Sequence, residues 1–334
     1  MSPKNLSATT KIHNFLKNKL QNKRINQIYK KFEKSIDINE NFIVAVSGGP
    51  DSLALSFLAK IYSIKKSVIA KFFIVDHKLR SDSTKEAMLV KRLLKKYSIN
   101  SEIITWKGTK PLKNIQSLAR QKRYELLFDE CKRFKVKHVL LGHHQDDVIE
   151  NFFIRILRGS GLRGLVSLDK KSKVNDINLL RPLINQKKSD LIFISNFVFN
   201  FYIKDPSNKD EKFQRIMIRK LINELQKNGL DKEKLNKTIN NLKSSNNVVD
   251  IYVKRNLDKN TFFSSTKKNF IINNEFFNEP YEIIFRAFSA SLKLVGKKYY
   301  SVRGKKLDRI ISDIKNNRLT KATLGGCVIK RVNQ

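Results

Sequence analysis

The hexapeptide Ser47-Gly48-Gly49-Pro50-Asp51-Ser52 lies directly after an apolar, β-branched run, FIVAV (Phe42 to Val46), and directly before a helical pattern. Glycines at a strand's end let the backbone turn tightly and aim N–H groups inward. The helix N-terminus that follows adds the positive end of its dipole. Ser47 and Ser52 carry hydroxyls that can donate to phosphate oxygens, and Pro50 has its φ preset for a first helical turn. These residue types in this order make a phosphate cradle. It is not a Walker A loop, because GxxxxGK[ST] is absent. A Gly-rich turn with an N-cap is the plain alternative, and it suits a bare SGG better than the whole string in a strand-turn-helix setting.

A second constellation is acidic. His143, Asp147 and Glu150 are spaced i, i+4 and i+7, which predicts one shared helix face. That helix should open at the carboxyl end of the strand HVLLG (His138 to Gly142). Carboxylates beside a triphosphate repel it unless a cation bridges them, and Mg²⁺ does so through one or two carboxylates plus phosphate oxygens. Asp51 and Asp147 are therefore the expected metal ligands. Glu150 either joins them or serves as a base, and His143 is expected on phosphate or ribose. Two other readings stand beside this one. His143-His144 with nearby acids could be a zinc hydrolase site, although zinc usually takes three protein ligands at tetrahedral spacing. The same residues could also be a capped helix with an acidic face. Arg80, Arg120 and Arg158 fall near predicted strand ends or in Gly-flanked turns. A guanidinium there can hold phosphate bidentately and offset charge on a leaving group.

These residues need a scaffold that brings strand ends together. Strand runs at Phe42 to Val46, Val68 to Val75, Ser101 to Trp106 and His138 to Gly142 alternate with helical patterns at Ser52 to Ile64, Ser81 to Tyr97, Ile115 to Phe134 and Gln145 to Leu157. Such alternation predicts an α/β fold, a mostly parallel, Rossmann-like sheet with helices on both faces. Ligands then sit outside the carboxyl ends of the strands. Composition changes after Phe201. The expected segments are an N-terminal basic helix over 1–36, a catalytic domain over 37–220, a helical linker over 221–247 and a smaller α+β domain over 248–334. The last is read from short β-like runs (IYV, TFF, NFII), helical patterns at Tyr281 to Leu294 and Gly304 to Ile314, and a closing TLGGCVIKRV.

The chain has 334 residues, 68 Lys+Arg against 30 Asp+Glu, and a formal charge of +38. That imbalance favours a polyanion partner, nucleic acid above all, although abundant Asn, Lys and Ile also point to an AT-rich coding bias. No apolar run approaches the ~20 residues of a membrane-spanning helix, so no membrane partner is expected. Two cysteines, Cys131 and Cys327, cannot build a disulfide framework or a four-thiolate zinc site, which suits a reduced, cytoplasmic protein. Eight basic side chains and no acidic one precede Glu33. This segment reads as a docked or nucleic-acid-facing helix, with a cleaved targeting segment as the alternative. Basic residues with aromatics between them, Lys297 to Lys306, suit contact with RNA. Oligomeric state is not legible, and a homodimer stays open.

Several more strings join the glycine loop in order: Asp76-His77-Lys78-Leu79-Arg80, Ser117 to Tyr124 (SLARQKRY), Gly142 to Glu150 (GHHQDDVIE), Arg158 to Leu165 (RGSGLRGL), Arg181-Pro182-Leu183 and Asp205-Pro206-Ser207-Asn208. SGGxDS after a first strand resembles the N-type ATP pyrophosphatases of the PP-loop superfamily. The ordered set is similar to the tRNA(Ile)-lysidine synthetases from about Phe42 to Arg219, with a weaker echo at Thr323 to Cys327. The resemblance implies a ligase that uses ATP and Mg²⁺ to adenylate the C2 oxygen of the wobble cytidine in the CAU anticodon of tRNA(Ile). Free L-lysine then displaces AMP to give lysidine, which turns AUG reading into AUA reading. It implies catalytic roles for Asp51, Asp147, Glu150 and Arg120. It implies nucleotide contacts from Ser47, Gly48, Gly49, Pro50, Asp51, Ser52, His143 and Arg158, with Asp51 and Asp147 on the metal. The family's Arg-Asn pair falls here on Arg215-Ile216, while Arg219 fits. A PP-loop tRNA 2-thiolation enzyme is the nearest rival, yet the chain has no CxxC. A non-catalytic RNA-binding protein is the other.

Overall fold

The computed structural model describes residues 14–108, 115–174, 176–203, 214–264, 269–297, 302 and 304–332. The string Asp205 to Asn208 and most of Lys297 to Arg303 lie outside these. The chain divides into two compact units, Met1–Asn236 and Lys237–Gln334.

The first unit is built on six strands. β1 (Phe42–Val46), β2 (Ala70–Asp76), β3 (Ser101–Thr105), β4 (His138–Leu140), β5 (Lys171–Val174) and β6 (Ile177–Leu180) pair in the order β3-β2-β1-β4-β6-β5. Every pairing is parallel except β5 with β6. Chain order runs outward from β1 to β2 and β3, then returns to place β4 on β1's other side. The switch point therefore lies between β1 and β4, where doubly wound sheets bind ligands.

Strand composition explains why both faces are covered. Phe42, Val44 and Val46 pack one face with Leu53, Phe57 and Tyr62 of α3 (Pro50–Lys66), Val90 and Leu94 of α4 (Ser83–Lys96), and Leu191 and Ile194 of α8 (Lys188–Phe199). The alternate residue Ile43 faces the other way, with Phe73, Val139 and Leu127 and Cys131 of α5 (Ile115–Arg133). Apolar side chains on both sides of one strand are the pattern of a buried parallel strand. Near the N-terminus, 14–19 form a short helix α1, followed by α2 (Lys23–Ser35), capped by Asn22. Ile25, Ile28, Tyr29 and Phe32 make its buried stripe, and they join the first face of the core. This basic segment is thus docked on the sheet as part of the first unit.

Two outcomes differ from expectation. β5 and β6 were not anticipated, because KSKV and INLL are four-residue strands at one edge, and β5 buries none of its residues fully. Conversely, beyond the short α7 (Leu162–Leu165) and α9 (Gln214–Lys227), the IYV run (Ile251 to Val253) lies inside one long helix, α10 (Lys232–Asn260), which also absorbs residues 232–247 of the expected linker. Its apolar positions Val253 and Leu257 are four apart and pack on the core, so helical spacing outweighs the β preference of three adjacent residues.

In the second unit the end of α10 leads into a β7–β8 hairpin (Thr261–Ser264, Asn269–Ile272). α11 (Tyr281–Val295), α12 (Gly304–Lys315) and a β9–β10 hairpin (Lys321–Leu324, Cys327–Lys330) follow. Phe276, Ile284, Phe288, Leu292, Leu307 and Ile311 form its core. Buried Arg286 ties α11 to α10 through Asn246 and Asp250. No helix among the described residues is long and apolar enough to cross a membrane.

Candidate active site

The glycine loop connects β1 to α3 at the switch point. Gly48 has φ +84, and a Cβ there would come within 2.6 Å of Val90 and 2.9 Å of Ile203, so both conformation and space demand glycine. The Ser52 hydroxyl accepts from the N–H groups of Ser47 (3.1 Å) and Gly48 (3.0 Å) and donates to Gly49 O (3.0 Å). Ser52 was expected on phosphate; here it braces the loop from within. Ser47 is exposed, and its hydroxyl lies 3.2 Å from that of Ser52. The first intrahelical bond is Leu53 N–H to Gly49 O. The N–H groups of Asp51 and Ser52 therefore precede the helical ladder, as first-turn donors do, and Pro50 at the first position has none to lose.

The β4–α6 junction faces this loop. A Cβ on Gly142 would meet the Asp51 carbonyl and Ser52 N at 3.3 Å, so the two turns pack backbone to backbone. α6 spans Gln145–Ile156, with His144 as its N-cap. His144 N–H donates to Asp147 Oδ2 (2.9 Å), and Asp146 N–H donates to His144 Nδ1 (3.2 Å). This reciprocal cap starts the helix one residue after His144. His143 therefore precedes the helix, and the expected i, i+4, i+7 face holds only for Asp147 and Glu150. Because Nδ1 accepts, the neutral His144 ring carries its proton on Nε2. That atom lies 3.7 Å from Asp51 Oδ2 and 3.5 Å from Asp147 Oδ2. The two carboxylates expected on a metal thus bracket one imidazole. Asp51 Oδ1 is buried with no hydrogen-bond partner.

Two basic residues complete the acidic pair. Lys188, the first residue of α8, places Nζ 2.5 Å from Asp51 Oδ2. No motif in the sequence singled it out, since the contact joins positions 137 apart. Glu150 is buried and held by Arg219, Nε to Oε1 at 2.6 Å, so it is engaged one turn further along α6. Burial would raise Asp147, but His144, His143, the His144 N–H and Arg215 outweigh it and hold the carboxyl below its usual range.

Guanidinium groups gather beside this centre. Arg181, Arg120 and Arg215 all act on His143, whose pKa is pushed down to about 3 mainly by burial, against the opposing pull of Asp147. Its Nδ1 is buried without a partner. Arg123 bonds His77 Nε2 (3.3 Å), and burial together with that charge lowers His77 to about 4. Arg120 lies over Tyr124 and donates to its hydroxyl (3.0 Å). Burial and repulsion from Arg120 lower the pKa of Arg123 and also that of Arg181, where Tyr124 opposes the shift. Arg181 is also held by Asp169 O (2.8 Å) and Ser172 Oγ (3.0 Å), so these like charges are fixed in place beside the centre. Arg158 follows α6 and is bonded to Gln214 (2.8 Å), the chain neighbour of Arg215, which acts on His143 and Asp147. Among the described residues no cluster of three His, Cys, Asp or Glu side chains could hold a metal alone, so the zinc-hydrolase reading finds no ligand set there.

Comparison with known proteins agrees with this geometry. The PP-loop domain family matches residues 17–225. A tRNA(Ile)-lysidine synthase of Wolbachia sp. subsp. Brugia malayi is 32% identical over 300 residues, covering 89% of this chain and 69% of that protein. One from Orientia tsutsugamushi is 40% identical over 184 residues, covering 55% of this chain and 42% of its own length. Among solved structures, the U34-tRNA thiolase NcsA of Methanococcus maripaludis, with its [4Fe-4S] cluster, aligns with a TM-score of 0.57 at 18% identity. The alignment covers 66% of this chain and 78% of that one, a likeness of fold.

Proposed function

The chain belongs to the tRNA(Ile)-lysidine synthase family of PP-loop proteins, and from that premise we propose that it adenylates the wobble cytidine of tRNA(Ile) with a CAU anticodon and transfers free L-lysine to it. It is an ATP-using, tRNA-modifying ligase. The observation that supports the reading most is the convergence of Asp51 and Asp147, from two different strand ends, on His144 beside the glycine loop.

The triphosphate lies on the loop, against the first-turn N–H groups of α3 and the positive end of its dipole. Asp51 and Asp147 suit Mg²⁺: both are hard oxygen donors, and Asp51 Oδ1 is buried and unbonded. Held by these two carboxylates, the ion would supply positive charge to the phosphates and to the departing pyrophosphate. The C2 oxygen of cytidine attacks the α-phosphorus, and pyrophosphate leaves with the electron pair of the broken P–O bond. Arg120, beside Arg123 and Arg181, supplies fixed positive charge where negative charge develops. The lysine ammonium passes a proton to Glu150, the free amine attacks C2, and AMP leaves with the electron pair of the broken C2–O bond, so that a C–N bond replaces it and the second amine proton is lost to solvent. Glu150, buried on α6 and paired with Arg219, adds a carboxylate to the same helix as Asp147 and serves as the base toward the lysine ammonium. On this reading the work is cytoplasmic, where tRNA and ATP are met.

The thiolation rival needs a reactive thiol. Cys131 is buried and its thiol is pushed up to about 12 by burial and Glu130. Cys327 is buried in the second unit, its thiol also raised by burial. Neither is a ready thiolate. Mass spectrometry of a tRNA(Ile) transcript incubated with ATP, Mg²⁺ and L-lysine tests the proposal. The expected product is a wobble cytidine heavier by lysine minus water; a gain matching sulfur-for-oxygen exchange, or none, overturns it.

A further inference from the structure

The loop Ser47 to Ser52 contains no basic residue, yet it must hold a triphosphate beside its own Asp51. A Walker A loop solves this with a lysine inside its sequence. Here the cation comes from another element. Lys188 opens α8, and α8 is fixed against the loop by the Ser195 hydroxyl, which donates to Pro50 O (2.7 Å). The turn leading into α8 is fixed to the other junction by Gln145 N–H, which donates to Gln186 O (3.1 Å). The Lys188 ammonium is thereby held at Asp51 Oδ2, on the carboxylate that the proposed metal would use. A divalent cation bound at Asp51 would compete with that ammonium for the single negative charge of the carboxylate.

We infer that Lys188 is a transferable counter-ion, paired with Asp51 in the nucleotide-free protein and passed to the triphosphate when ATP brings a divalent cation to Asp51. The inference rests on the ATP reading above and adds an order to it. A divalent cation competes for Asp51 through twice the charge of an ammonium. Lysine is a compact charge on a flexible stem, so once released it turns to the nearest anion, which is then the phosphate chain. Lys188 therefore has two consequences: it weakens metal binding without nucleotide, and it favours a nucleotide with more phosphates.

The test compares wild type, Lys188→Met and Lys188→Arg in two binding measurements without tRNA. Nucleotide-free Mn²⁺ affinity is read from electron paramagnetic resonance amplitude, and ATP and AMP affinities from calorimetry. The expectation for Lys188→Met is Mn²⁺ affinity about tenfold above wild type and ATP affinity about tenfold below it, about 1.4 kcal/mol apiece, with AMP affinity unchanged. Lys188→Arg should restore the preference for ATP over AMP. Retained AMP binding shows that the variant is folded. An unchanged Mn²⁺ affinity, or an unchanged ATP-to-AMP ratio in Lys188→Met, overturns the inference. Failure of wild type to bind ATP at all would instead overturn the reading beneath it.

Discussion

Two strand-to-helix junctions lie side by side at the centre of the sheet, and they solve opposite problems. After β1, the chain must present hydrogen-bond donors to an anion. It does so with a positive-φ glycine, a proline first turn and a serine that braces the loop internally. After β4, the chain must present carboxylate. There the helix is capped by His144, with Asp147 returning the bond. One junction offers peptide N–H groups and the other withholds them, because its first-turn donors are already taken. The lesson is that a helix N-terminus becomes an anion site or a cation site according to whether its own cap consumes the donors.

Removing the acidic contribution should have the largest effect. Asp51→Ala and Asp147→Ala are each expected to lower tRNA-dependent AMP release by about 10²–10³-fold, as loss of several kcal/mol of charge stabilisation implies, with tRNA binding by filter assay retained. Gly48→Ala attacks the other junction. Left-handed backbone costs a non-glycine residue about 1–2 kcal/mol, and the contacts with Val90 and Ile203 add overpacking of about 1–3 kcal/mol. Denaturant midpoints should fall accordingly, and ATP affinity should fall with them. Ser52→Ala leaves two loop N–H groups without their acceptor and is expected to cost about 1–3 kcal/mol, seen as a lower melting temperature and weaker ATP binding. His144→Ala loses a cap worth about 1 kcal/mol and also the ring between Asp51 and Asp147, so it should lower stability and weaken ATP binding by less than either aspartate substitution.

Acid should weaken the arginine-rich side before the loop. His143 and His77 have folded pKa values lowered to about 3 and about 4, below the unfolded value of about 6.5. The unfolded chain therefore binds more protons between these limits, and stability falls as pH drops from about 6.5 towards 4. Asp147, also lowered, loses its contribution only at lower pH, as it protonates. Unfolding free energy measured against pH should show the first decline, and His77→Gln should reduce its slope.

How much of this was legible from residue order follows the same contrast. The glycine loop could be read because positive φ and a preset first turn restrict residue choice at adjacent positions. Asp147 and Glu150 could be read because they share a helical face. His143 could not be placed, since whether a helix starts before or after it depends on a reciprocal cap with Asp147. Lys188 left no local trace, because its partner is reached only when α8 folds against α3. The four-residue strands β5 and β6 were missed because short edge strands carry little apolar pattern, and IYV misled because three β-branched or aromatic neighbours mimic a strand inside a long helix.

The central claim is that ATP bound at this loop is split between its α- and β-phosphates. Product analysis with α-labelled ATP, tRNA(Ile) transcript and L-lysine tests it most directly. The account predicts labelled AMP with equimolar pyrophosphate, formed only when tRNA is present; labelled ADP with orthophosphate would contradict it.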